Sequence, residues 1–97
     1  VSLEWIVEKM CHAPADCFQV KERGFIREGY YADLVVVDTN KSWAVNKDNI
    51  LYDCGWSPFE GEEFKSTVSK TFVNGNLVYD NGAFDERTRG MRLEFDR

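Results

Sequence analysis

The sequence contains few of the residues that build catalytic metal or nucleophile sites. It has one histidine, His12, and three cysteines, Cys11, Cys17 and Cys54, with no C-x-x-C and no H-x-H spacing. Zinc and redox sites draw on several such donors at short, regular spacings. An odd number of scattered cysteines predicts reduced, packed thiols, with a zinc site or a redox pair as the alternative. We therefore assign no catalytic residue and no metal ligand to this chain.

Long apolar runs and clusters of basic residues are missing as well. No stretch approaches the ~20 apolar residues that span a bilayer, and the first five residues lack the basic start and apolar core of a signal peptide. The net charge of −5 opposes binding to the phosphates of nucleic acid. We expect no membrane partner, no nucleic-acid partner and a cytoplasmic location.

The first 20 residues have a helical pattern. Ser2 is a good helix cap, and an apolar stripe recurs at helical spacing from Leu3 to Met10. Pro14 suits the first position of a second short helix. We interpret His12 as a structural residue near that helix start, since no partner for proton transfer can be named. The period changes near Val20, so we place helices in 1–20 and a mainly β segment in 21–97.

The stretch from Gly24 to Asp38 predicts a strand, a tight turn and a second strand. Phe25-Ile26 forms the first strand, between the turns marked by Gly24 and Gly29. The uninterrupted apolar run 34–37, three of its four residues β-branched, predicts a strand buried on both faces.

The second half of the chain predicts further strands. Asn74-Gly75 suits a type I′ hairpin turn, which would pair Phe72 with Leu77 and Thr71 with Val78. Residues 43–45 form a short strand, the turn 80–82 is followed by Phe84 folding back onto the sheet, and 90–95 alternates as an edge strand with Met91, Leu93 and Phe95 facing inward.

A loop with three aromatic residues lies between these strands. Gly55, Pro58 and Gly61 exclude a regular helix, and the loop ends in Ser57-Pro58-Phe59-Glu60-Gly61. We interpret Glu60 as a carboxylate that fixes the turn by accepting hydrogen bonds from loop N–H groups. A general acid or base is the alternative, but acid–base work needs a positioned proton path, and no second titrating partner is evident.

Three stretches, in this order, resemble the cyclic amidohydrolases, which include dihydroorotases, hydantoinases and allantoinases. They are the Ala32-Asp33-Leu34 element before the apolar run, the Ser57–Gly61 loop, and the hairpin around Asn74-Gly75. Ala13-Pro14-Ala15 is similar to the step that follows the last barrel helices of dihydroorotases. The resemblance implies a partial β-sandwich in 21–97, preceded by one or two terminal helices of a TIM-type barrel in 1–20.

The resemblance also implies a function. The chain would be the C-terminal, non-catalytic segment of a zinc-dependent dihydroorotase, which cyclises N-carbamoyl-L-aspartate in pyrimidine biosynthesis, with its metal ligands upstream. The segment of a hydantoinase (dihydropyrimidinase) or allantoinase is one alternative, and a free-standing β interaction module is another. An upstream reading frame containing His-x-His would exclude the free-standing module. We expect the missing N-terminal and barrel parts as partners, a homo-oligomer, an inactive isolated chain, and residues 57–61 supporting the site without touching metal.

Overall fold

A continuous helical run opens the chain in the computed structural model, which describes residues 1–97. Ser2 caps it, because its Oγ accepts a hydrogen bond from the backbone N–H of Trp5 at 3.1 Å. A π-helical turn precedes Pro14, where its wider backbone accommodates a ring that a regular turn would clash with. The two expected helices are thus one run, made of α1 Leu3–Val7, the π turn Glu8–His12 and α2 Ala13–Phe18.

The helical run ends where the sequence pattern changes. Gln19 adopts the left-handed conformation with φ of 57°, and the backbone N–H of Val20 bonds back to the carbonyl of Ala15 at 2.9 Å. The predicted helical region therefore holds to within two residues. The apolar stripe of the run lies exposed, with Leu3 63% and Met10 73% accessible. None of the helical segments has the length and apolar composition that a bilayer-spanning helix requires.

The chain has six strands, which are β1 Leu34–Asp38, β2 Trp43–Ala44, β3 Glu63–Phe64, β4 Thr67–Val73, β5 Asn76–Asp80 and β6 Ala83–Phe84. Four of them form the antiparallel main sheet, in the order β1-β4-β5-β6. The predicted strand β1 forms, but it lies at the sheet edge, and the residues of 35–37 are 45–58% exposed. The prediction that both of its faces are buried is wrong for this chain, because its apolar run has no second layer to pack against.

The hairpin between β4 and β5 has the predicted turn. Asn74 and Gly75 both have positive φ, 51° and 82°, as a type I′ turn requires. Phe72 pairs with Leu77 as expected. The expected pairing of Thr71 with Val78 is wrong, because a bulge shifts the register and Thr71 faces Tyr79.

A second, two-stranded sheet is formed by β2 Trp43–Ala44 and β3 Glu63–Phe64. The buried apolar residues of the chain are Ala15 and Val45, so the two sheets share no continuous core. The architecture is mixed, with one helical run and two antiparallel sheets. A β-sandwich stays a prediction about the larger protein.

Two predicted strands are absent. Phe25 stacks on the His12 ring, with centroids 4.2 Å apart, so it packs on the helical run. Ile26 is 88% exposed, and neither residue lies in a strand. Residues 90–95 make a single bridge, between Val20 and Phe95, and Met91 and Leu93 are about half exposed. Alternation alone does not make a strand where no neighbour offers a ladder of backbone hydrogen bonds.

Candidate functional site

The loop that ends in residues 57–61 is closed by a β-turn centred on Pro58 and Phe59. The backbone N–H of Glu60 bonds to the carbonyl of Ser57 at 3.1 Å, and the N–H of Phe59 bonds to Ser57 Oγ at 3.1 Å. Proline presets the backbone angle of the second turn position, and serine at the first position accepts from the backbone two residues on. Gly61 then takes φ of 90°, a conformation in which other residues are strained.

The turn is fastened to the two-stranded sheet. Gly61 donates its N–H to the carbonyl of Val45 at 2.8 Å, and Val45 donates to the carbonyl of Glu62 at 2.9 Å. The Phe59 ring meets the edge of Phe64, with centroids 6.0 Å apart, and Phe64 packs against Trp43 at 5.5 Å. Backbone hydrogen bonds and aromatic contacts therefore hold the loop in one place.

Glu60 does not fix the turn. Its carboxylate accepts no hydrogen bond within the chain, and the loop N–H groups bond to Ser57 and to backbone carbonyls. The predicted structural role of Glu60 is therefore wrong, and Ser57 carries it, because its short side chain reaches the nearest free N–H. The exposed carboxylate of Glu60 is left free. The placement of residues 57–61 beside a catalytic site stays a prediction.

A second cluster joins the stretch after the helical run to the hairpin. Arg23 is the one buried charged residue, 9% exposed, and its guanidinium donates to Asp33 Oδ2. The guanidinium also lies 4.3 Å from the centroid of the Tyr31 ring. The other oxygen, Asp33 Oδ1, accepts the backbone N–H of Asn74 at 2.9 Å. Sequence reasoning missed Arg23, although an aspartate directly before an apolar strand is a signal for such a partner.

The remaining candidates lie apart from one another. Cys11, Cys17 and Cys54 are free and exposed, so the prediction that these thiols are packed is wrong. His12 faces Glu8, with Nδ1 and Oε2 3.5 Å apart, and stacks on Phe25. No three His, Cys, Asp or Glu side chains come together in a geometry that holds a metal ion. The donor set of this chain therefore does not fit a metal centre.

The pKa shifts concern residues outside the loop, on paired strands β4 and β5 and in the stretch after β6. A hydrogen bond from the Lys70 ammonium, 2.7 Å away, lowers the pKa of Asp80 across β4 and β5. A hydrogen bond from the Arg87 side chain lowers the pKa of Asp85, and Asp85 in turn raises the pKa of Arg87. These pairs stabilise charged surface groups and prepare no acid or base.

An open groove of about 700 Å³ separates the two sheets. The small sheet contributes Trp43 and Phe64 to its walls, and the main sheet contributes Val68 and Tyr79. A wide apolar groove between two sheets is suited to a further layer of protein. The groove adjoins the loop at Phe64, because the Phe64 ring lines the groove and also contacts Phe59.

Comparison with known proteins gives consistent matches. The family model described as "Amidohydrolase family" matches residues 1–78. A dihydroorotase of Pyrococcus furiosus is 33% identical over 93 residues, which is 96% of this chain and 22% of that protein. An allantoinase of Desulfitobacterium hafniense is 31% identical over 78 residues, 80% of this chain and 17% of that protein.

A solved structure has the same backbone arrangement. The L-hydantoinase (dihydropyrimidinase) from Arthrobacter aurescens superposes with a TM-score of 0.77 and 31% identity, over 87% of this chain and 19% of that one. The chain spans about a fifth of the length of the curated relatives it matches.

Proposed function

Since the chain belongs to the amidohydrolase family, we propose that it is the C-terminal, non-catalytic segment of a zinc-dependent dihydroorotase. The reaction of the whole enzyme is the reversible cyclisation of N-carbamoyl-L-aspartate to dihydroorotate. The observation that carries the proposal is the extent of the match. The dihydroorotases of three Pyrococcus species align over 91–96% of the chain, whereas the two allantoinases of Desulfitobacterium hafniense align over 80%. The dihydroorotases of Endomicrobium and Wolbachia align over 76–81%.

The zinc ligands of this enzyme lie outside the 97 residues, because the chain offers no suitable donor set. A zinc ion held by residues elsewhere in the protein would supply Lewis-acid chemistry toward the ring amide and would lower the pKa of a bound water. The part of this chain in that chemistry is indirect. The rigid turn made by Ser57 and Pro58 presents Phe59 and Glu60 at the surface of the loop, where they line the surroundings of the site.

The rest of the same polypeptide is the proposed partner of three exposed surfaces. These are the apolar stripe of the helical run, the edge strand β1 and the groove between the sheets. In this proposal residues 1–20 are the last helices of a TIM-type barrel, and residues 21–97 are the larger part of a β-sandwich that other strands complete. The exposure of Val35 and Met10 supports this proposal, since large apolar side chains that are more than half exposed indicate a surface that another part of the protein covers.

The second candidate is the same segment of a hydantoinase or an allantoinase, favoured by the L-hydantoinase superposition. One experiment separates the candidates. The full-length protein that contains this chain is purified and assayed with dihydroorotate, hydantoin and allantoin side by side, together with a zinc analysis. We expect turnover of dihydroorotate and bound zinc. A clear preference for hydantoin or allantoin would replace the dihydroorotase assignment.

A further inference from the structure

Two asparagine–glycine pairs form turns of the main sheet. Asn74-Gly75 joins β4 to β5, and Asn81-Gly82 joins β5 to β6. The asparagines have φ of 51° and 47° and the glycines φ of 82° and 99°, so both turns place their two residues in the left-handed region. Because the residue types and the backbone region agree, a difference in the chemistry of the two pairs has to come from their contacts.

An asparagine that precedes glycine can lose its side-chain amide without an enzyme. The backbone nitrogen of the glycine gives its proton to a base and attacks Cγ of the asparagine. The new N–Cγ bond closes a cyclic imide, the Cγ–Nδ2 bond breaks, and Nδ2 leaves as ammonia with a proton from water. Water then opens the imide at either carbonyl and leaves aspartate or isoaspartate. Glycine favours the first step because it has no Cβ to hinder the approach.

Contacts within the chain restrain the first pair. The N–H of Gly75, which would supply the attacking nitrogen, donates to the carbonyl of Ala32 at 3.0 Å. The N–H of Asn74 donates to Asp33 Oδ1 at 2.9 Å, and Asp33 is fixed by buried Arg23. Asn74 Oδ1 is buried without a hydrogen-bond partner, so the negative charge that it gains when Cγ is attacked meets no donor. Ring closure at Asn74 is therefore opposed at the nucleophile and at the oxygen that becomes charged.

The second pair lacks the restraint on the nucleophile. The N–H of Gly82 donates to no acceptor in the chain, and both residues of the pair are exposed. The N–H of Asn81 bonds to the carbonyl of Ser69 at 2.8 Å, and its Nδ2 donates to Asp80 Oδ1 at 2.8 Å. These two bonds hold Asn81 in place but leave the attacking nitrogen of Gly82 free.

We propose that the Ala32-Asp33 step protects the Asn74-Gly75 turn against imide formation, and that Asn81 is the site at which this chain loses an amide. The protecting acceptors belong to the same chain as the turn, so the protection of Asn74 does not depend on what else covers the sheet. The reaction at Asn81 takes place between two adjacent residues and needs only a base and water.

The product at Asn81 alters the edge of the main sheet. Aspartate adds a second carboxylate next to Asp80. Isoaspartate also adds one atom to the backbone of the turn between β5 and β6. That insertion shifts the pairing of Tyr79 with Phe84, whose rings lie 4.9 Å apart. Modification therefore loosens β6 from the sheet and leaves the β4–β5 hairpin in place.

The test follows both asparagines in one sample. The 97-residue chain is incubated at mildly alkaline pH, with its fold monitored by circular dichroism. Trypsin then releases both pairs in one peptide, residues 71–87, and tandem mass spectrometry locates the change from amide to acid. Synthetic peptides of residues 72–77 and 79–84 give the rate of each pair without the fold. Relative to its peptide, Asn81 reacts at least about tenfold faster than Asn74, because the Gly75 hydrogen bond has to open before attack.

A substitution tests the protecting contact. Asp33→Ala removes the acceptor of the Asn74 N–H, so Asn74 reacts at least about threefold faster. The matched control is Asp38→Ala at the other end of β1, where the carboxylate bonds to the N–H of Asn40, and it leaves the rate at Asn74 unchanged. If Asp33→Ala does not fold, the comparison of the two asparagines in the unaltered chain decides alone.

The same incubation of the full-length protein that contains this chain completes the test. Asn74 remains the slower of the two there, since its protecting acceptors lie within the 97 residues. Equal peptide-corrected rates in the folded chain would overturn the proposal, and so would a folded Asp33→Ala variant in which Asn74 reacts as slowly as before. An Asn81 that keeps its amide in the full-length protein would overturn its assignment as the modification site.

Discussion

Asp33 Oδ1 accepts a hydrogen bond from the backbone N–H of Asn74, 41 residues further along the chain, at 2.9 Å. The same carboxylate receives the guanidinium of buried Arg23. The aspartate that precedes β1 therefore ties the turn of the β4–β5 hairpin to the stretch that follows the helical run. The Ala32-Asp33-Leu34 element therefore supplies the hydrogen-bond acceptor for the turn of the Asn74-Gly75 hairpin.

Replacing Asp33 leaves Arg23 buried without its counter-charge. We expect Asp33→Asn to lower the free energy of unfolding by about 2–3 kcal/mol. The matched control is Asp38→Asn at the other end of β1, whose carboxylate accepts one exposed hydrogen bond, from Asn40. It costs less than about 1 kcal/mol. Urea unfolding measures both, and equal losses would contradict the role given to the Arg23 pair.

Gly24 and Gly29 form a matched pair for a test of packing. Their φ angles are 86° and 88°, so alanine is strained alike at both. A Cβ on Gly24 would meet the Ala15 side chain and lie 2.8 Å from the Cys11 carbonyl oxygen, whereas a Cβ on Gly29 meets nothing within 4 Å. We expect Gly29→Ala to cost about 1–2 kcal/mol and Gly24→Ala about 1–3 kcal/mol more. Thermal unfolding of the two variants measures the difference, and equal melting temperatures would show that the segment moves aside freely.

Local chemistry accounts for what could be predicted from the sequence. The type I′ turn follows from Asn74-Gly75, and the helix start follows from Ser2, because each is decided by backbone angles and one or two neighbours. The apolar run also predicts correctly that residues 34–37 form a strand. The exposure of this strand cannot be predicted from the apolar run, because burial depends on a layer of protein that the 97 residues do not contain.

The wrong strand predictions also arise from tertiary contacts that local sequence does not specify. Residues 90–95 alternate like a strand but pair with a neighbour at one bridge, between Val20 and Phe95. Phe25 packs on the His12 ring and joins no sheet.

In the loop the sequence predicts the turn correctly, but the predicted hydrogen-bond acceptor, the Glu60 carboxylate, is wrong. The short side chain of Ser57 places its hydroxyl beside the N–H of Phe59, two residues further on, and accepts its hydrogen bond. The longer Glu60 side chain does not take that position.

The loop gives a direct test of that assignment. Ser57→Ala removes the acceptor for the Phe59 N–H and costs about 1 kcal/mol. Glu60→Gln removes no hydrogen bond within the chain and changes stability by less than about 0.5 kcal/mol. Urea unfolding midpoints check both values. In the full-length enzyme Glu60→Gln leaves the metal content unchanged, and loss of metal would place Glu60 among the ligands.

The Lys70–Asp80 pair makes stability depend on pH. The pKa of Asp80 lies below 3.8, its ordinary value, mainly through the hydrogen bond from Lys70. A carboxyl group whose folded pKa is depressed stabilises the fold above its ordinary pKa, and this stabilisation is lost as the pH falls through the folded pKa. We expect Lys70→Met to lower the urea midpoint at pH 7 and to have a smaller effect at pH 2. An effect of equal size at both pH values would mean that packing of the Lys70 stem, and not its charge, matters.

The isolated chain should neither hydrolyse dihydroorotate nor take up zinc in a one-to-one ratio. Its single histidine is engaged with Phe25 and Glu8, and its cysteines are dispersed, so a bound ion would find one or two ligands where stable sites use three or four. Equilibrium dialysis against zinc, followed by an assay of dihydroorotate loss, tests both statements on the purified 97 residues. His12→Ala is the control, and any weak zinc uptake should be the same with and without it. Turnover that requires zinc and disappears in His12→Ala would place catalytic chemistry in this segment.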